Sequence, residues 1–131
     1  MLSFKTFLTE TETLKLGSFI NDQGQHDVGT IVNLLKKNKV PVRNVPISRL
    51  LRKNSDTETR EGNFGKMLSN PTPAFIKRTN KANTRYPILL DTKGWVIDGT
   101  HRLAKLAMKN ARHARVQVVP RSILKQARID T

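Results

Sequence analysis

The stretch YPILLDTKGWVIDGTHRLAKLAMKNARHARVQVVP, Tyr86 to Pro120, decides how this chain is read. Tyr86–Asp91 is an apolar run that reads as a strand, Asp91-Thr92-Lys93-Gly94 as a tight turn with Gly94 at its permissive position, and Trp95–Asp98 as a second strand. Gly99-Thr100-His101-Arg102 then opens a helix, and Ala114–Val119 closes the segment as a third strand. Gly99 allows a sharp bend and close approach of backbone to a ligand, and Thr100 is a suitable cap for the helix that follows. Unpaired amides, the His101 imidazole and the Arg102 guanidinium would therefore meet at one point, an arrangement suited to phosphate. A cation in the first helical turn opposes the helix dipole, and a bound anion would remove that conflict.

Along the same helix Arg102, Lys105, Lys109 and Arg112 recur at spacings of three and four, which predicts a basic stripe opposite Leu103, Ala104, Ala107 and Ala111. Alone, the stripe reads equally as a solvated face. Beside the turn, it reads as a guide for a polyanion.

The Gly99–Ala104 run, Gly-Thr-His-Arg-Leu-Ala, resembles the Gly-x-x-Arg-x-x-Ala signature of the ParB/sulfiredoxin superfamily, most closely its Asp-Gly-x-His-Arg form in ParB-like nuclease domains and free serine kinases. Val45-Pro46-Ile47-Ser48-Arg49-Leu50 looks like that family's first strand, so the resemblance spans about Val40 to Pro120. It implies a small α+β domain of the ParB/sulfiredoxin-like kind, with a mixed β-sheet from segments near Val45, Ile88, Val96 and Val118 and the Thr100 helix on one face. Residues 1–39 would form an N-terminal helical or extended segment packed on a 40–131 core, within a single domain. Sulfinic acid reduction needs a cysteine at the turn, whereas this chain has Thr100 there and no cysteine. A partition clamp carries a different turn and a long helical domain after it.

What the resemblance leaves is phosphate chemistry. It implies Asp98 and His101 as catalytic residues, Asp98 holding Mg²⁺ and His101 acting as acid or base. Gly99, Thr100, Arg102 and Lys105 would bind phosphate, and Lys77, Arg78, Lys109, Arg112 and Arg115 would contact nucleic acid. Singly, Asp98 also reads as a turn cap and His101 as a structural hydrogen-bonder. Glu58 or Glu61, in the polar stretch Asn54–Gly65, could be the counterpart of a base in the serine-kinase branch. That stretch has no apolar period and reads as a loop or lid.

Charge supplies the second constraint. The 131 residues hold 24 Lys and Arg against 10 Asp and Glu, a formal charge of +14. Between Gly99 and Ile129 eight cations (Arg102, Lys105, Lys109, Arg112, Arg115, Arg121, Lys125, Arg128) face no acid at all. The partner expected is nucleic acid, DNA or RNA, with ATP, ADP or CTP as the alternative ligand of the turn. Tyr86 and Trp95 read as strand residues at the core or its rim, not as a stacking platform.

Upstream, Phe4, Phe7 and Leu8 suggest a short docking helix and not a signal peptide, since no long apolar run follows. Leu14–Ile20 reads as a weak strand and Asn21–His26 as a polar loop. Asp27 is placed to cap a helix with Val28, Ile31, Val32 and Leu35 on one face, stopped by Lys36, Lys37 and Asn38. A helix is expected at Phe64–Leu68 and a helical turn at Ala74–Arg78, separated by Asn70-Pro71-Thr72-Pro73. The expected setting is cytoplasmic, without membrane association; the start of the chain is reminiscent in style of tailed-phage proteins. Three functions follow: a ParB-like nuclease with metal-assisted phosphoester chemistry, a nucleotide-dependent kinase or NTPase, and a non-catalytic DNA- or RNA-binding protein.

Overall fold

Ile88-Leu89-Leu90 forms strand β6, and all three side chains are buried, so the strand is covered on both faces. The structure, a computed structural model, describes residues 18–21 and 24–127, with side chains from Asp27 onward. Around β6 lies a four-stranded sheet in the order β3 (Arg43–Pro46), β8 (His113–Val118), β6, β7 (Val96–Asp98). β6 runs parallel to β8, while β3 with β8 and β6 with β7 are antiparallel. The mixed sheet and α+β class expected from the sequence are present.

Alternation along β6 splits the interior in two. Ile88 and Leu90 face a cluster built by Ile47 and Leu50 of α2 (Ile47–Asn54), Phe64 and Met67 of α3 (Phe64–Ser69), Phe75 of α4 (Pro73–Lys81) and Leu103 and Ala104 of α5 (Thr100–Met108). Leu89 faces a second cluster with Val28, Ile31 and Leu35 of α1 (Val28–Lys37), Ile97, Val119, and Ile123 and Leu124 of α6 (Arg121–Gln126). The helix α1 thus covers one face of the sheet. The helix α6 was not foreseen. Pro120 starts it, and Ile123, Leu124 and Ala127 bury its inner side.

Local chemistry sets the element ends. Asp27 caps α1, its Oδ2 accepting from the Thr30 amide at 3.1 Å and the Thr30 hydroxyl at 2.6 Å. Asn63 and Thr72 cap α3 and α4 in the same way, with Pro73 in the first turn of α4. The supposed strand Val45–Leu50 ends at Pro46, which has no amide to continue a ladder, and α2 begins at Ile47 with Ile47, Leu50 and Asn54 on its buried side. Of the stretch Asn21–His26, read as a loop, Asn21 and Gly24–His26 lie in two antiparallel strands, β1 (Ser18–Asn21) and β2 (Gly24–Asp27). The polar stretch after α2 is likewise a hairpin, β4 (Glu58–Thr59) and β5 (Gly62–Asn63), turned by Gly62 at φ +132°.

Asn54 is wholly buried and joins α2 to the approach of β7. Its Nδ2 donates to the Gly94 carbonyl at 3.2 Å, and its Oδ1 accepts from the Val96 amide at 2.9 Å. Asp91 forms the turn as expected, its Oδ1 accepting from the amides of Lys93 and Trp95. Trp95 is exposed at the rim, with the Lys53 ammonium 4.9 Å from its ring centre. Among the described residues no helix is long and apolar enough to cross a membrane. The docking helix proposed around Phe4–Leu8 and the cation Arg128 lie outside the described residues.

Candidate functional site

The bend before α5 is built as the sequence requires, but its caps differ. Gly99 is itself the N-cap, in the left-handed region at φ +110°, and no side chain caps the first turn; Thr100 is the first helical residue. A Cβ on Gly99 would lie 2.9 Å from the Arg102 Nη1 and 3.3 Å from Ile88 Cγ1, so the position excludes side chains by both torsion and space.

Arg102 fills that space because it points inward. Its Nη2 donates to Asp98 Oδ2 at 3.1 Å and its Nη1 to the Pro87 carbonyl at 3.1 Å, and the residue is only 6% exposed. Its guanidinium carbon lies 5.8 Å from the Tyr86 ring centre. The reason is directional: helical side chains lean toward the N-terminus, which delivers Arg102 onto the last residue of β7, and a buried cation demands an anion there. Two expectations are corrected by this pair. Arg102 does not present its guanidinium to a phosphate, and Asp98 is an internal counterion with one carboxylate oxygen committed to a guanidinium.

A Mg²⁺ at Asp98 would share that carboxylate with a cation already within hydrogen-bond reach. Among the described residues no group of three His, Cys, Asp or Glu side chains converges on a point. Mg²⁺ needs only one or two carboxylates beside phosphate oxygens, and here Asp98 would offer it the oxygen other than Oδ2, which accepts from Arg102.

The basic stripe is not realised either. Lys105 turns to the end of α4, its Nζ donating to the carbonyls of Asn80 and Ala82 at 2.9 Å each, where a lysine satisfies carbonyls left over by the helix. α5 stops at Met108; Lys109 is its C-cap and Asn110, at φ +59°, turns the chain before Arg112. Lys77, Lys109 and Arg112 are exposed. The Arg115 Nη1 donates to the Arg85 carbonyl at 2.7 Å.

What does gather at the helix start is Glu61, His101 and Arg78. The β4–β5 hairpin brings Glu61 Oε1 to 2.9 Å from His101 Nε2, while Arg78 Nε on α4 lies 2.7 Å from Glu61 Oε2. Side-chain exposure falls inward from 42% for Arg78 through 22% for His101 to 7% for Glu61. The ring of Phe75, one turn before Arg78, packs 5.2 Å from the imidazole and fixes its tilt. Burial alone would push the Glu61 carboxyl up, but the His101 hydrogen bond and the charges of His101 and Arg78 outweigh it and hold the group below the ordinary glutamate range. Burial and the neighbouring Arg78 pull Arg60 below its usual value, partly offset by Glu61.

An ionised Glu61 can only accept, so the His101 Nε2 must carry the proton of that bond. In the neutral ring Nδ1 then holds a lone pair. Of the two glutamates considered, Glu61 reaches the site, whereas Glu58 is exposed on β4 opposite Asn63. Sequence reasoning missed the role of Arg78 as the partner of Glu61. The available signal was its place on α4 three residues after Phe75, so that one helical face presents both.

No protein-family model, curated protein or solved structure matches this chain.

Proposed function

We propose that the protein acts on the phosphoester backbone of nucleic acid, with His101 as the acid–base group and Glu61, clamped by Arg78, orienting it. The observation that carries this reading is the 2.9 Å Glu61–His101 bond at the opening turn of α5. A buried carboxylate that fixes the tautomer of a partly exposed imidazole is the pairing general base catalysis needs. In the step, Nδ1 takes a proton from a water molecule as the water oxygen bonds to phosphorus, the bond from phosphorus to the leaving oxygen breaks, and that oxygen takes up a proton from solvent. Amides at the start of α5 face the charge that develops. Support for the substrate class comes from the +14 formal charge and from the motif resemblance to ParB-like nuclease domains.

A second reading, binding of DNA or RNA without turnover, is favoured by the Asp98–Arg102 pair, which is satisfied internally and resembles scaffold more than machinery. Incubation of labelled DNA, RNA, ATP, ADP and CTP with wild type, His101→Ala and Glu61→Gln, each with Mg²⁺ or chelator, separates the readings. The catalytic reading expects wild-type products on a polynucleotide in both conditions and a loss of about 10²–10⁴-fold in His101→Ala. Wild-type binding with no product on any substrate leaves the second reading standing; phosphate release from nucleotides alone would move the site to a kinase or NTPase.

A further inference from the structure

The two faces of the sheet are not covered alike. On the side of Leu89 and Ile97, α1 and α6 bury β6 and β7. The same face of β8 carries His113, Arg115 and Gln117, since Gln117 pairs with Leu89 and side chains two apart share a face. Cross-strand pairing adds Asn44 of β3 opposite Arg115. Asn44, His113 and Arg115 are exposed, so this half of the sheet is open and polar.

That open half is organised. The Arg115 Nη1 bond to the Arg85 carbonyl, 2.7 Å, holds an exposed guanidinium in place and places a second exposed arginine beside it. Gln117 Nε2 donates to the Val40 carbonyl at 3.0 Å, which ties the exposed Lys39 to the far end of the strip. No acidic residue occurs in β3 or β8, nor between Gly62 and Leu90 or Gly99 and Ile129. The cations of the strip are Arg115 on β8, Arg85 beside it and Lys39 at its far end, and a surface with these cations and no acid in its strands suits a polyanion. Arginine further suits phosphate because its planar fork offers five donors, of which the Arg85 carbonyl takes one.

We infer that the open β3–β8 face, centred on Arg115 and Arg85 and flanked by His113, Asn44 and Lys39, is a docking surface for the sugar-phosphate backbone of nucleic acid. It rests on the reading that nucleic acid is the partner, but not on the chemistry at His101. Among the described residues this face of β3 and β8 carries no Phe, Tyr or Trp, so the contact inferred is to phosphate.

The test is fluorescence anisotropy of the full chain with labelled DNA and RNA oligonucleotides in chelator, over a salt series. Variants are Arg115→Gln, Arg85→Gln and their double, with exposed Lys66→Gln on α3, which packs against the opposite face of the sheet, as the control and thermal melts confirming the fold. The expected result is a weaker affinity in the double variant and a slope of log affinity against log salt shallower by about 1.4–1.8, two phosphates at about 0.7–0.9 each, with Lys66→Gln shifting neither as far. If Arg115→Gln perturbs folding, Arg85→Gln alone, whose carbonyl partner is main chain, must still lower the slope by about 0.7–0.9. Equal slopes in wild type and the double variant would overturn the assignment even if wild type cleaves nucleic acid. Equal competition by polyglutamate at matched charge would overturn it too. Loss of slope in a protein that yields no product would uphold the surface while the catalytic reading fails.

Discussion

Replacing Asp98 by alanine tests the site in a way that activity alone cannot. The substitution leaves the Arg102 guanidinium, 6% exposed, without the carboxylate it meets at 3.1 Å, while its bond to the Pro87 carbonyl is kept. Removing one member of a buried pair costs about 3–5 kcal/mol, because an uncompensated charge stays inside. Against a net stability of about 5–15 kcal/mol, that is a large fraction, and for a domain of this size it corresponds to a fall in Tm of roughly 10–20 °C. Circular dichroism melts and urea titrations of Asp98→Ala, Arg102→Met and the double variant form the cycle. The double should be less destabilised than the sum of the singles, with a coupling of about 1–3 kcal/mol, since it leaves no orphaned charge. An Asp98→Ala protein that melts within about 2 °C of wild type would refute the reasoning, because it would mean that Arg102 does not depend on that carboxylate. The practical point follows: loss of activity in Asp98→Ala is no sign of a catalytic or metal-binding aspartate unless the fold is shown intact.

Acid should act through Glu61. Its folded pKa lies below the unfolded value of about 4.3, so its contribution is complete above that value and is lost as pH falls through the lower folded one; Glu61→Gln should flatten the acid limb of the urea midpoint, and an unchanged limb would count against the pairing with His101. Lys105→Met should lower stability by about 1–2 kcal/mol through the unmatched carbonyls of Asn80 and Ala82, with nucleic-acid affinity nearly unchanged; the opposite pattern would return Lys105 to the binding surface.

The sheet was legible because its signals are local: three apolar runs bounded by Gly94, Gly99 and Pro120, and a cap at Asp27 for α1. The basic stripe failed for an equally physical reason. Helical period was carried past Met108, where Asn110 leaves the helical region, and Arg102 was counted as outward although its direction is set by an aspartate four residues earlier. The pairing of His101 with Glu61, forty positions apart, depends on a two-strand hairpin whose polar sequence has no period to read. Both glutamates of that stretch were plausible, and only the fold selects between them. Lys105 shows the same limit, as nothing in its sequence neighbourhood names a carbonyl twenty-five residues away as its partner.

Asn54 has a consequence for how copies of this chain can meet. Its amide sits across Gly94 and Val96 as a peptide unit of a neighbouring strand would, so the outer rim of the sheet at β7 is partly occupied by a side chain. At the opposite rim Pro46 ends β3 with no hydrogen to donate. Edge-to-edge growth into a continuous ribbon is thereby discouraged at both margins, which keeps so short a sheet a finished unit and leaves self-association, where it occurs, to its broad surfaces.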